Sequence, residues 1–192
     1  PAKAHSGFNR KYGINGDEHM NFVAMEPINK GWSGDKKYCA TDVNGTRYLL
    51  RVSDIAQYDA KQSEFYMMKK VASLGVPMCQ PIEFGICEEG VYSVQSWIDG
   101  ENAELVISGC SDAEQYVIGL EAGRILRRIH SIPAPADQEN WEIRFNRKMN
   151  DKIRKYSGCP VKYENGQAFI DYINGNRHLL KNRPQVYQHG DN

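Results

Sequence analysis

Three groups of residues in this chain are of types that handle phosphate or move a proton. Lys30-Gly31-Trp32-Ser33-Gly34-Asp35-Lys36 sets two glycines and a serine just before a strand. Glycine lets backbone N–H groups approach an anion closely, and a serine hydroxyl donates to a phosphate oxygen. Taken alone, an ordinary turn between strands accounts for the same residues, and neither the G-x-x-x-x-G-K-[ST] nor the G-x-G-x-x-G spacing is present. Arg51 stands inside the otherwise apolar run Tyr48–Val52, and Glu64 falls on the apolar side of the helix that follows. A charge facing a core is costly unless paired, so the two are expected to meet, and a cation held in this way can bind phosphate. Two edge residues that both reach water would leave the same pattern. The third group is the turn His189-Gly190-Asp191, which presents a carboxylate able to accept a proton. As a bare tripeptide it is common; its force comes from standing downstream of the other two.

The elements that must position these residues change character near residue 100. Before it the chain reads as strands and turns. Asn44-Gly45, the preferred pair for a two-residue type I′ turn, separates Tyr38–Thr41 from Tyr48–Val52, and Glu88-Glu89-Gly90 separates Ile82–Cys87 from Val91–Ile98. Between the hairpins the spacing of Glu64, Met67, Met68 and Val71 predicts a helix over about residues 56–73, stopped by Gly75 and Pro77. After residue 100 a capping box, Ser111-Asp112-Ala113-Glu114, opens a second helix with an apolar stripe of Ile118, Ala122, Ile125 and Ile129. A basic, solvated helix is expected over Arg144–Lys155 and a short one over Gly166–Leu180. Strands followed by helices give an α+β chain.

Composition narrows the class. The 192 residues carry 24 basic and 24 acidic side chains, without the basic excess of a general nucleic-acid footprint, so no nucleic-acid partner is expected. No apolar run is long enough for a membrane span, and Pro1–His5 lacks the apolar stretch of a signal peptide, so no membrane is expected. The five cysteines are odd in number, without C-x-x-C spacing, and read as reduced thiols in a cytoplasmic protein. No His/Cys cluster has the spacing of a zinc site.

From about residue 20 the chain resembles the aminoglycoside phosphotransferase family, which is grouped with choline kinase and the protein kinases. The segments that carry the resemblance are Gly31–Tyr38, Tyr48–Val52, Glu64–Met68, Val94–Gly100, Ala122–Pro133 and Gln188–Asp191, in that order. The resemblance implies a protein-kinase-like fold: an antiparallel-sheet nucleotide-binding lobe with one main helix over residues 1–98, then the hinge and the start of a mainly helical catalytic lobe over residues 99–192. It implies ATP or GTP as cofactor, with Ser33 and Gly34 in the loop over the phosphates. Arg51 falls where the family has a phosphate-contacting lysine, and Glu64 at its helix partner. Ser96, Trp97 and Ile98 form the hinge that holds the base, and Asp191 is the catalytic base. A guanidinium at residue 51 is bulkier and forked, so this departure bears on catalysis and nucleotide preference.

The acceptor implied is a small hydroxylated molecule, an aminoglycoside first among them. The family pattern continues past Asp191 to an asparagine and a second aspartate that hold Mg2+; Asn192 is not at the asparagine position, so the magnesium ligands are expected beyond the chain and no metal ligand is assigned within it. A truncated helical lobe is expected to expose apolar surface through which two copies dimerise. A nucleotide-binding pseudokinase without phosphotransfer is the alternative reading. The chain by itself is expected to be without transferase activity, and magnesium-dependent turnover by the purified chain would contradict this.

Overall fold

The computed structural model describes residues 10–12, 20–31 and 33–187, with side chains from residue 20 onward. Among the described residues six strands form one antiparallel sheet in the order β1-β2-β3-β4-β6-β5: β1 (Arg10–Tyr12), β2 (Met20–Pro27), β3 (Lys36–Asp42), β4 (Arg47–Ser53), β5 (Pro81–Cys87) and β6 (Gly90–Ser96). The helices are α1 (Tyr58–Ala72), α2 (Ala103–Val106), α3 (Asp112–Ile129), α4 (Trp141–Gly158) and α5 (Gly166–Gly175). This is the α+β order that the sequence implies.

Side-chain alternation gives the sheet two unlike faces. One carries the core: Phe22, Ala40, Leu50, Val52, Tyr92 and Val94 are buried together, with Met20, Met25, Tyr38 and Tyr48 packed around them. The other carries α1, whose Phe65 stacks on Phe84 of β5 at 5.5 Å between ring centroids, with Tyr58 tilted against the same ring at 5.6 Å.

The two predicted hairpins form, but the first closes differently from the type I′ expectation. Asp42 accepts the N–H of Gly45 at its carbonyl (3.1 Å) and donates its own N–H to the Thr46 carbonyl (3.0 Å). Its carboxylate accepts the N–H groups of Asn44 (2.9 Å) and Thr46 (2.8 Å). These bonds make a three-residue loop, Val43-Asn44-Gly45, in which only Gly45 takes positive φ, at 81°. A type I′ turn would put Asn44 there as well. In the second hairpin Glu88 and Glu89 form the turn, and Gly90 has φ 135°.

The capping box forms: Ser111 N–H donates to the Glu114 carboxylate (2.8 Å) and the Glu114 N–H reaches Ser111 Oγ (3.4 Å). The packing divides into two compact units between Ile125 and Leu126, inside α3. No residue of α3 is buried; Tyr116, Val117, Ile118 and Leu120 are exposed. In the second unit Arg177 donates to the side-chain carbonyls of Asn146 (2.5 Å) and Asn150 (2.8 Å), tying the turn after α5 to α4. No disulfide joins the five cysteines, and no helix among the described residues is long and apolar enough to cross a membrane.

Gly90 supports the site described below. A Cβ built there would stand 2.1 Å from the Ser53 carbonyl oxygen, whereas one at Gly45 would meet nothing within 4 Å. Gly90→Ala is therefore expected to lower the unfolding free energy by more than about 2 kcal/mol, and Gly45→Ala by about 1 kcal/mol. Urea unfolding of the two variants checks the order, and equal losses would show that β6 does not need this close approach to β4.

Candidate functional site

The α1 face of the sheet carries the polar residues of the strands. Leu49, Arg51 and Ser53 of β4 stand beside Gln95, Ser93 and Val91 of β6 as ladder partners. The loop between β2 and β3 closes over this face. Ile28 N–H donates to the Lys37 carbonyl (2.8 Å), and the Lys37 ammonium donates to the Lys30 carbonyl (2.5 Å). The return of this loop sets Asp35 against Arg51 and Ser53.

Asp35 is the hub of the site, and its side chain is 4% exposed. Its Oδ2 accepts from Arg51 Nε (3.1 Å), Arg51 Nη2 (2.5 Å) and Lys61 Nζ (3.0 Å). Its Oδ1 accepts from Ser53 Oγ (2.8 Å). Burial pushes the carboxyl up, but the hydrogen bonds from Ser53, Lys61 and Arg51 outweigh it and hold the pKa at about 2, below the ordinary 3.8.

Arg51 and Glu64 are brought together, with 4.0 Å between Nη1 and Oε1, yet each has a closer partner: Arg51 is held by Asp35, and Glu64 by Lys61 at 3.1 Å. The reason lies in the rotation of α1. The sequence puts Glu64 on the apolar side, whereas the buried side runs through Lys61, Phe65 and Met68 while the Glu64 side chain is 46% exposed. A single residue on a helix turns its side chain by about 100°, so the inward charge is Lys61.

Lys61 and Asp35 are the members of this charged cluster that sequence reasoning missed. The spacing Tyr58-Lys61-Phe65-Met68 is a legible stripe for the first. For the second, the only signal is an acidic residue between a glycine and two lysines.

Ser33 and Gly34 lie exposed in the same loop, beside a groove of about 310 Å3 that Asp35 and Lys37 also line. Behind Asp35, between the sheet and α1, the space is only about 20 Å3, room for one water. Of the residues expected to form the hinge, Ser96 ends β6 and Trp97 and Ile98 follow it. Ser96 is committed to the preceding turn, its N–H donating to the Gln80 carbonyl (2.9 Å) and its Oγ accepting from the Gln80 N–H (2.8 Å). Trp97 Nε1 donates to Asp99 (3.2 Å), and the Arg47 guanidinium lies 5.7 Å from the Trp97 ring centre and also pairs with Asp99. Ile98 is exposed.

Gln95, just before the hinge, is 5% exposed, and its Nε2 has no hydrogen-bond partner among the described residues. His189 and Asp191 lie outside the described residues. Among those described, no group of three or more His, Cys, Asp or Glu side chains is placed to hold a metal ion.

With this geometry in view, the family model described as "Phosphotransferase enzyme family" matches residues 24–191. Among solved structures, one described as a ternary complex of streptomycin, ATP and APH(2")-IIa is similar, with a TM-score of 0.53 and 14% identity. The similarity covers 81% of this chain and 53% of that one, so the chain spans about half the length of its structural neighbour. At this identity the likeness is one of fold. No curated protein sequence matches the chain.

The depressed Asp35 pKa has a signed consequence for stability. Its contribution is fully present above the unfolded-state value and is lost as pH falls from about 4 towards about 2, amounting to about 2 kcal/mol. Urea midpoints across this window are expected to fall less steeply for Asp35→Asn than for the unsubstituted chain. The same slope in both would show that Asp35 does not carry the acid sensitivity.

Proposed function

The chain belongs to the phosphotransferase enzyme family, and on that premise we propose that it supplies the nucleotide-binding part of an ATP- or GTP-dependent O-phosphotransferase acting on a small hydroxylated molecule. The observation that carries this reading is the convergence of three N–H donors from two cations, Arg51 and Lys61, on one oxygen beside a loop containing Gly31 and Gly34. Donors set in this way stabilise phosphate oxygens.

Arg51 contacts the α- and β-phosphates in this reading, and Ser33 and Gly34 approach them from the loop. Glu64 keeps the cations in place. Ser96, Trp97 and Ile98, the hinge between lobes 1–98 and 99–192, border the base, with the Gln95 amide on the same sheet face as Arg51. The acceptor hydroxyl attacks the γ-phosphorus as the bond to the bridging oxygen breaks. The nucleoside diphosphate leaves, and the hydroxyl proton passes to the Asp191 carboxylate.

Magnesium supplies charge neutralisation in this chemistry, but the described residues do not form a site for it. An aminoglycoside is the acceptor favoured by the family and by the streptomycin in the neighbour's complex. The reading assigns the chain to the cytoplasm, in keeping with its unbridged cysteines.

Nucleotide binding without transfer is the second reading. It is favoured by Arg51, an arginine at the position of the family's lysine whose guanidinium is already engaged by Asp35.

Calorimetric titration with ATP and GTP tests the shared claim. Binding is expected, and Arg51→Ala is expected to weaken it at least about tenfold through loss of charge-assisted hydrogen bonds. Failure of the folded chain to bind either nucleotide would overturn both readings. Transfer of labelled phosphate to an aminoglycoside by the parent protein selects the first; binding without transfer selects the second.

A further inference from the structure

We propose that Asp35 holds, with its own carboxylate, the place of a phosphate oxygen between Arg51 and Lys61, and that a nucleotide phosphate binds there by displacing it. The inference rests on the nucleotide-binding reading and adds Lys61 and Ser53 to the phosphate site, with Asp35 as the residue that competes for it.

Four observations meet here. First, Oδ2 of Asp35 is surrounded as a phosphate oxygen would be, by Arg51 Nε, Arg51 Nη2 and Lys61 Nζ at 2.5–3.1 Å, while Ser53 Oγ donates to the other oxygen at 2.8 Å. A phosphate offers the same acceptors with more charge.

Second, there is no room for a phosphate behind the carboxylate. The Asp35 side chain is 4% exposed, and the pocket it shares with Arg51, Ser53, Lys61 and Glu64 holds about 20 Å3. An anion seated between Arg51 and Lys61, rather than in the open groove beside the loop, must therefore replace Asp35.

Third, the local charges cancel: Arg51 and Lys61 against Asp35 and Glu64. With Asp35 in place the corner has no net field to attract an anion. With it displaced, one positive charge is uncovered.

Fourth, the two carboxylates differ in what carries them. Glu64 is fixed on α1, 3.1 Å from Lys61, and stays to orient the cations. Asp35 stands on a loop, directly after Gly34. A Cβ at Gly34 would meet nothing within 4 Å, so no packed neighbour stands against the backbone just before Asp35. The loop's other glycine, Gly31, already has φ 86°.

The test uses tripolyphosphate, which has no base, alongside ATP, titrated by calorimetry at low salt into the full chain and its variants. Asp35→Asn is expected to bind both ligands about tenfold more tightly, because the three charge-assisted hydrogen bonds to the carboxylate no longer have to be broken first. Lys61→Met added to it is expected to cancel that gain. Equal or weaker binding of ATP by Asp35→Asn than by the unsubstituted chain would overturn the displacement.

Asp35→Asn also removes two ion pairs, so the unsubstituted chain provides an independent reading. The 15N-resolved resonance of Arg51 Nε–H is expected to move on saturation with tripolyphosphate, as its acceptor changes from carboxylate to phosphate. A resonance unmoved at saturation would overturn the proposal. If neither the unsubstituted chain nor Asp35→Asn, both folded by circular dichroism, binds ATP or tripolyphosphate, the nucleotide-binding reading itself falls and takes this inference with it.

Discussion

A carboxylate that is 4% exposed stays ionised only where donors surround it, and that requirement organises the polar corner of this sheet. Asp35 needs Arg51, Lys61 and Ser53. The two cations, brought close by a strand and a helix, equally need an anion between them. The requirement reaches outward. Ser53 must stand at the end of β4, where Gly90 lets β6 approach its carbonyl. Lys61 must face inward, which fixes the rotation of α1 through Phe65 on Phe84. The β2–β3 loop must return over the sheet, which the Lys37 and Ile28 contacts secure.

The sheet divides its work between its faces. Phe22, Leu50, Tyr92 and Val94 make the apolar side that resists unfolding. The other side trades part of its burial for charge. There Arg51 occupies a strand position whose flanking residues, Leu50 and Val52, both point into the core. A charged pair on this side is weak evidence for stability, because desolvation offsets much of the attraction. Its presence beside an open groove is the observation on which the nucleotide-binding proposal rests.

Similarity at 14% identity with retention of fold means that the fold is held by pattern rather than by particular side chains. The corner at Arg51 illustrates the distinction. Here a guanidinium, an ammonium and a loop carboxylate share one oxygen, whereas the family pattern leads one to expect a single cation paired with a helix glutamate. Glu64 does lie within 4.0 Å of Arg51, but its nearer contact is Lys61. The cation at this site is therefore a pair, and a pair can hold an anion of its own.

The sequence by itself determined the four strands of the two hairpins and the order of the helices α1, α3, α4 and α5, but not β1, β2 or the short α2. The β-branched and aromatic content of Val91–Ile98, the capping box at Ser111 and the glycine-bearing turns are local rules, satisfied by neighbours in the chain. It also singled out Arg51 as a misplaced charge, because an arginine among apolar strand residues is anomalous wherever the strand sits. The turn at Asn44-Gly45 was legible as a turn but not as to type, since the Asp42 carboxylate decided how many residues the loop would hold. Only the tertiary structure decided what Arg51 faces. Asp35 is 16 residues from it and Lys61 is 26 residues from Asp35, and no periodicity spans such distances. Whether a helix presents Lys61 or Glu64 to a sheet depends on which ring packs against Phe84, a contact that exists only once the strands have paired.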